Sequence, residues 1–263
     1  DAQTGAITRL LERRIGKRWA SARHPLGEFH YQSFDQTDYD RYHRQYVNKQ
    51  EEIAWWAIPD FTKPGIADAG ATSQEWLPRL QRVYHRQDPG GHSIVLFLKG
   101  EEEACTAYGC PRDLVIEVKL PDAQPSVAWT LQWYNKSACR LPEALWVSFV
   151  PAVPQPRDWF LERLGELVSP LDVVRNGNRT LHAVGSGVYY DDGERRLAIK
   201  SFDAPLVAPG RRALLTFDNR QPPLRLGMHF LLANNVWGTN FPIWFGEDAR
   251  FRCRVGLHGA VAV

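Results

Sequence analysis

The chain has 263 residues, 32 Lys and Arg against 30 Asp and Glu for a formal net charge of +2, and 44% hydrophobic and 24% charged residues. These are globular proportions with interspersed charge, which exclude a nucleic-acid binder, since that needs a concentrated basic face. No apolar run approaches the roughly 20 residues of a membrane-spanning helix, so neither nucleic acid nor membrane is an expected partner.

The first element reads as a hairpin. Ile7 and Leu10 lead in, Arg14 to Lys17 turn, and Trp19 follows; the basic run Arg13 to Arg18 is then the solvated face of a turn. Gly27 to Phe34 alternates as a strand, with Phe29 and Tyr31 on one face. A helix follows, with Thr37 as N-cap and Asp38 and Asp40 in its first turn, where the helix dipole favours acids. Tyr39, Tyr42 and Tyr46 recur at helical spacing and read as packing. Pro59, Pro64 and Gly65 mark an irregular crossing.

From Leu80 the pattern is strand after strand: "RLQRVYHRQ", "HSIVLFLKG", "RDLVIEVKL", "SVAWTLQWYN" and "EALWVSFVP". "DDG" at Asp191 to Gly193 sits between two apolar runs, a hairpin signal. "RRALLTFDN", "LRLGMHFLLANN" and "DARFRCRVGL" read as the closing strands. Strands spaced at about ten residues argue against an α/β fold. The expectation is all-β: one large β-sandwich domain over residues 1–263, with one short N-terminal helix. The chain begins at Asp1 and its only methionine is Met228, which reads as the C-terminal part of a longer multidomain protein.

Self-sufficient catalytic signatures are absent: no Gly-x-Ser-x-Gly, no phosphate loop, no His-Glu-x-x-His. Cys105, Cys110, Cys139 and Cys253 match no zinc spacing. They read as free thiols of a reducing compartment, which favours the cytoplasm, with Cys105 and Cys110 able to close a small loop under oxidation. The eight histidines are scattered; His24 with His30, and His85 with His92, fit no usual ligand spacing. No metal and no cofactor are expected in this chain.

Three stretches carry the chemistry that remains. "NNVWGTNFPIWF" places Asn234, Asn235 and Asn240 among Trp237 and Trp244. Flat indoles can cover the C–H face of a sugar ring, and each amide offers both a donor and an acceptor to its hydroxyls. The alternative is a buried loop whose amides cap backbone while its rings fill the core. "LQWYNKSACRLPEALWVSF" holds Lys136, Arg140 and Glu143, with Arg140 able to pair with Glu143 or to reach a ligand oxygen. "SPLDVVRNGNRTLHAVGSGVYY" crowds Arg175, Asn176, Asn178, Arg179 and His182 on one polar loop. Asp218 in "TFDNRQPP" has similar aromatic and amide company.

These stretches, with "HPLGEFHYQSF" and "FDAPLVAPGRRALLTFDNRQP", resemble the C-terminal half of domain-of-unknown-function family 5054 over about Asp1 to Arg254. That family is similar in architecture to the α-mannosidases of glycoside hydrolase family 38. The resemblance implies a galactose-mutarotase-like supersandwich packed on an N-terminal catalytic domain of the same polypeptide. It implies that the zinc site and catalytic carboxylates of such enzymes belong to the N-terminal part, so that a metal is expected there if anywhere. The sandwich would then lend loop residues to a carbohydrate pocket. No mannosidase motif is legible here, so only the architecture carries over.

Asn234, Asn235, Trp237, Asn240, Trp244, Arg140, Glu143, Arg179 and His182 are accordingly the candidate carbohydrate-binding residues. Three other readings stand beside this one: an autonomous carbohydrate-binding module, a self-contained sandwich enzyme of the polysaccharide lyase or mutarotase kind, and a purely structural interaction domain. In a lyase, Arg175, Arg179 and His182 would neutralise a uronate and supply its base.

Overall fold

A computed structural model describes residues 1–238 and 243–257. The elements run β1 (Leu10–Glu12), β2 (Lys17–Ala20), β3 (Leu26–Ser33), α1 (Gln36–Tyr46), α2 (Ile58–Phe61), β4 (Gln74–Trp76), β5 (Arg79–Asp88), β6 (Gly91–Lys99), α3 (Glu102–Ala107), β7 (Asp113–Pro121), β8 (Ser126–Tyr134) and β9 (Glu143–Phe149). They continue with β10 (Trp159–Arg163), β11 (Glu166–Val168), β12 (His182–Ala183), β13 (Gly187–Asp191), β14 (Arg196–Ser201), β15 (Leu206–Pro209), β16 (Met228–Asn234) and β17 (Ala249–Leu257). The fold is an all-β sandwich. One of its sheets has nine strands in the order β11-β10-β13-β14-β17-β8-β7-β6-β5 and the facing one has six, β12-β15-β16-β9-β3-β4, while β1 and β2 pair in a separate two-stranded sheet.

The main core lies between the sheets. Trp129 of β8 meets Phe149 of β9 edge-on at 6.0 Å, and Phe149 meets Phe230 of β16 at 6.1 Å. Strand β9 explains why there is a second core. All seven of its residues are buried, and strand side chains alternate between faces. Leu145, Val147 and Phe149 enter the main core, while Ala144 and Trp146 enter a cluster on the opposite face with Phe34, Tyr39, Tyr42 and Leu215. Helix α1 covers that outer face.

The cap of helix α1 is Asp35, two residues before the expected Thr37. Asp35 accepts from the Asp38 N–H at 3.1 Å and Asp38 accepts from the Asp35 N–H at 3.1 Å, a reciprocal capping box that satisfies two otherwise orphaned donors. Two further corrections concern type. Residues 211–219 form no strand; Leu214 and Leu215 instead turn into the second core, and the Phe217 N–H donates to Gln45 Oε1 at 2.8 Å rather than to a neighbouring strand. Helix α3 interrupts the run of strands, with Glu102 and Glu103 in its first turn. The four cysteines stand as free thiols.

Candidate functional site

The loop that follows β16 is pinned from below by buried charge. Lys136 and Glu143 are both buried and lie 2.6 Å apart. Tyr31 donates its hydroxyl to Glu143 at 2.5 Å, and Lys136 also donates to the Phe245 carbonyl at 2.8 Å. Burial pushes the Glu143 carboxyl up, while Lys136 and Tyr31 pull it down. Lys63, itself buried, donates to the carbonyls of Arg140 at 2.8 Å and Ile243 at 3.4 Å, and burial depresses its ammonium to about 8.

Asn235 completes the clasp. Its amide donates to the Cys139 carbonyl at 2.7 Å and the Leu141 carbonyl at 3.1 Å, and accepts from the Glu143 N–H at 2.7 Å. Both hydrogens of that amide are therefore engaged with backbone. Asn234 is half-buried and accepts from the Val236 N–H at 3.4 Å. Asn240 lies outside the described residues. Glu143 pairs with Lys136, not with Arg140, whose guanidinium lies over the Trp244 ring at 4.8 Å. Trp244 is exposed.

Trp237 leads elsewhere. Its ring packs on Tyr42 at 5.4 Å, Tyr42 stacks on Tyr46 at 5.3 Å, and Tyr46 touches Phe61 at 5.5 Å and Phe217 at 5.2 Å. This aromatic run ends at a cleft of about 940 Å³ lined by Tyr46, Phe61, Phe217, Gln45, Asn48, Asn176, Asp218 and Asn219, with Arg44, Lys49 and Glu52 among its charged residues. Its rim is built. The Asn176 N–H donates to Asn219 Oδ1 at 2.7 Å, and Asn219 Nδ2 returns to Asn176 Oδ1 at 2.8 Å. Lys49 and Asn176, on its walls, adopt φ of 88° and 63°, a left-handed conformation that non-glycine residues seldom hold and that concentrates at ligand clamps. The connection that forms one wall continues into Trp55 and Trp56, 81% and 62% exposed, and Ile58 at 41%.

The structure thus separates the nine residues singled out in the sequence. Asn235 and Glu143 belong to the buried clasp, and Arg140 and Trp244 form a stacked pair above it. Arg179 is buried, donating to the carbonyls of Val173 at 2.6 Å and Val174 at 3.3 Å. His182 opens β12, and burial lowers its imidazole. None of the eight that the structure describes lines the cleft, although Asn176 and Asp218 from the same polar stretches do.

A second polar network had no signature in the sequence. On the outer face of β3, β9 and β16, His30 Nδ1 lies 2.9 Å from Glu75, Arg212 reaches Glu75 at 2.6 Å and Ser148 at 3.0 Å, and His229 Nδ1 lies 2.8 Å from Ser148. Strand register gathers it: Ser148 faces Glu28 on one side and His229 on the other. Likewise the β5–β6 hairpin brings His85 Nε2 within 3.0 Å of His92 Nδ1, despite their uninformative spacing. Among the described residues no group of three His, Cys, Asp or Glu side chains is placed to hold a metal. No helix among them is long and apolar enough to cross a membrane.

These features define an all-β sandwich with an aromatic and amide cleft on the outer face of its smaller sheet. The model of the family described as DUF5054, a domain of unknown function, matches residues 1–128, less than the near-full length over which the sequence resembles that family. An α-mannosidase from Enterococcus faecalis V583 superposes with a TM-score of 0.59 at 11% identity, over 98% of this chain and 28% of that one. A glycosyl hydrolase family 38 protein from Enterococcus faecalis superposes with a TM-score of 0.53 at 11% identity, over 95% and 28%. The chain therefore spans 28% of the length of each of these two proteins, and the likeness is one of fold. No curated protein matches the chain in sequence.

Proposed function

We propose that residues 1–263 form one sandwich domain of a larger glycoside hydrolase, packed on an N-terminal catalytic domain of the same polypeptide and supplying part of its carbohydrate pocket. The observation that carries this reading is the cleft. Tyr46 offers a flat ring with Phe61 and Phe217 at its sides, suited to the C–H face of a hexose. Gln45, Asn48, Asn176 and Asn219 ring it with donors and acceptors for hydroxyls. Trp55, Trp56 and Ile58 are large apolar side chains left exposed close together in the chain, as at interaction surfaces, and the partner that suits them is the catalytic domain. The likeness to a mannosidase makes α-mannosides the first ligands to try. Catalytic groups and any metal are assigned to the N-terminal domain, and no nucleic acid or membrane partner is assigned.

The test is a calorimetric titration of methyl α-mannoside and related hexosides into residues 1–263. Saturable binding is expected, weakened at least tenfold by Tyr46→Ala, with the fold checked by circular dichroism. Absence of binding by every hexoside, or equal binding by the Tyr46→Ala protein, would remove the cleft from this account.

A further inference from the structure

Asp218 lines two spaces at once. On one side is the cleft described above, and on the other a smaller cavity of about 270 Å³ lined by Arg179, Thr180, Arg211, Thr216, Asp218 and Arg220 among others. We infer that this smaller cavity binds an oxyanion group carried by the saccharide in the cleft, so that the ligand is an anionic sugar. The sugar half of this inference rests on the carbohydrate reading, whereas the anion half stands on the cavity alone.

The argument is one of unmatched charge. Three arginines line the cavity against a single acidic residue. Arg179 is buried, and its N–H groups donate to Gln221 Oε1 at 3.2 Å and to the carbonyls of Val173 and Val174, none of them an anion. A buried charge without a counter-charge is costly, and carbonyl dipoles offset only part of it. Asp218 makes no ion pair with Arg179; its Oδ1 accepts from the Arg220 backbone N–H at 2.9 Å in a local turn. The residues outside the described part, 239–242 and 258–263, contain no Asp or Glu that could supply the charge.

Arg211 and Arg220 are exposed, so their planar forks are free to turn toward an incoming group. Guanidinium matches the two-oxygen edge of carboxylate, sulfate or phosphate. The shared wall at Asp218 sets the two spaces side by side. A ring seated on Tyr46 can therefore direct a charged substituent past Asp218 toward the arginines.

The experiment is calorimetric titration at fixed ionic strength with sodium glucuronate, sodium sulfate, inorganic phosphate and neutral methyl α-mannoside. At least one of the three anions is expected to bind. Arg211→Gln and Arg220→Gln, both exposed and tolerable to the fold, should each weaken that binding at least tenfold, and Asp218→Asn should strengthen it severalfold. Glucuronate binding above the others identifies a carboxylated sugar; sulfate or phosphate binding at least as tightly identifies a sulfated or phosphorylated one. Neutral sugar binding with no anion binding overturns this inference and leaves the carbohydrate reading in place. Binding of free sulfate or phosphate with no binding of glucuronate or of any neutral hexoside upholds the cavity and overturns the carbohydrate reading. Anion affinity unchanged in both arginine variants overturns the assignment of the cavity.

Discussion

Lys136→Met should destabilise the protein by about 3–5 kcal/mol, the range for breaking a buried ion pair by removing one partner. Glu143 would be left at the bottom of β9 with the Tyr31 hydroxyl and no cation in contact, in surroundings that already push its carboxyl up. The Phe245 carbonyl would lose its donor as well, so the loop after β16 and the connection before β9 should loosen together. Urea unfolding at pH 7 measures the loss. The double variant Lys136→Met with Glu143→Gln should recover a good part of it, because no uncompensated charge remains. A single variant within about 1 kcal/mol of the parent would show that the pair is not the clasp described here.

Acid should destabilise the fold progressively below pH 6.5, and the polar network on the outer face supplies the reason. Burial, aided by the charges of Arg212 and His30, lowers the His229 imidazole from 6.5 to about 3. In the unfolded chain it takes up a proton near 6.5, so below that pH the unfolded state binds more protons and stability falls as pH drops toward 3. The loss from this group by pH 3 is on the order of a few kcal/mol.

Glu75 acts in the same direction. Burial would raise its carboxyl, but hydrogen bonds from His30 and Arg212 outweigh that and hold it at about 2 rather than 4.5. Its contribution is present above 4.5 and disappears as pH falls to about 2. Unfolding midpoints at pH 7, 5 and 3 should therefore decline throughout, and His229→Gln should flatten the slope between 6.5 and 3 selectively. An identical slope in the variant would place the acid sensitivity elsewhere.

Much of the sandwich was legible because strand physics is local. Alternation and turn residues marked β3, β5 to β9, β13, β14 and β17, and the basic run at Arg13 to Arg18 fell where expected, bounding the first hairpin. Legibility stopped where tertiary packing overrides a local pattern. Leu214 and Leu215 look like strand residues, yet they serve a loop that covers a second core. Asn235 looks like a ligand fork, yet it caps three backbone groups.

The cleft itself left no local signature, since it is assembled from α1, the connection after it, Asn176 and residues 217–219. The tyrosine stripe of α1 was visible as packing, which holds for Tyr39 and Tyr42. Only the tertiary structure shows that Tyr46, at the end of the same stripe, emerges to form the floor.

The most direct test of the central claim is hydrolysis of an aryl α-mannoside and related aryl glycosides by the protein purified from its native source, set beside residues 1–263 alone. The account predicts turnover by a native protein well above 30.0 kDa and none by residues 1–263. Turnover by residues 1–263 alone, or a native protein of 30.0 kDa inactive on every glycoside, would contradict it.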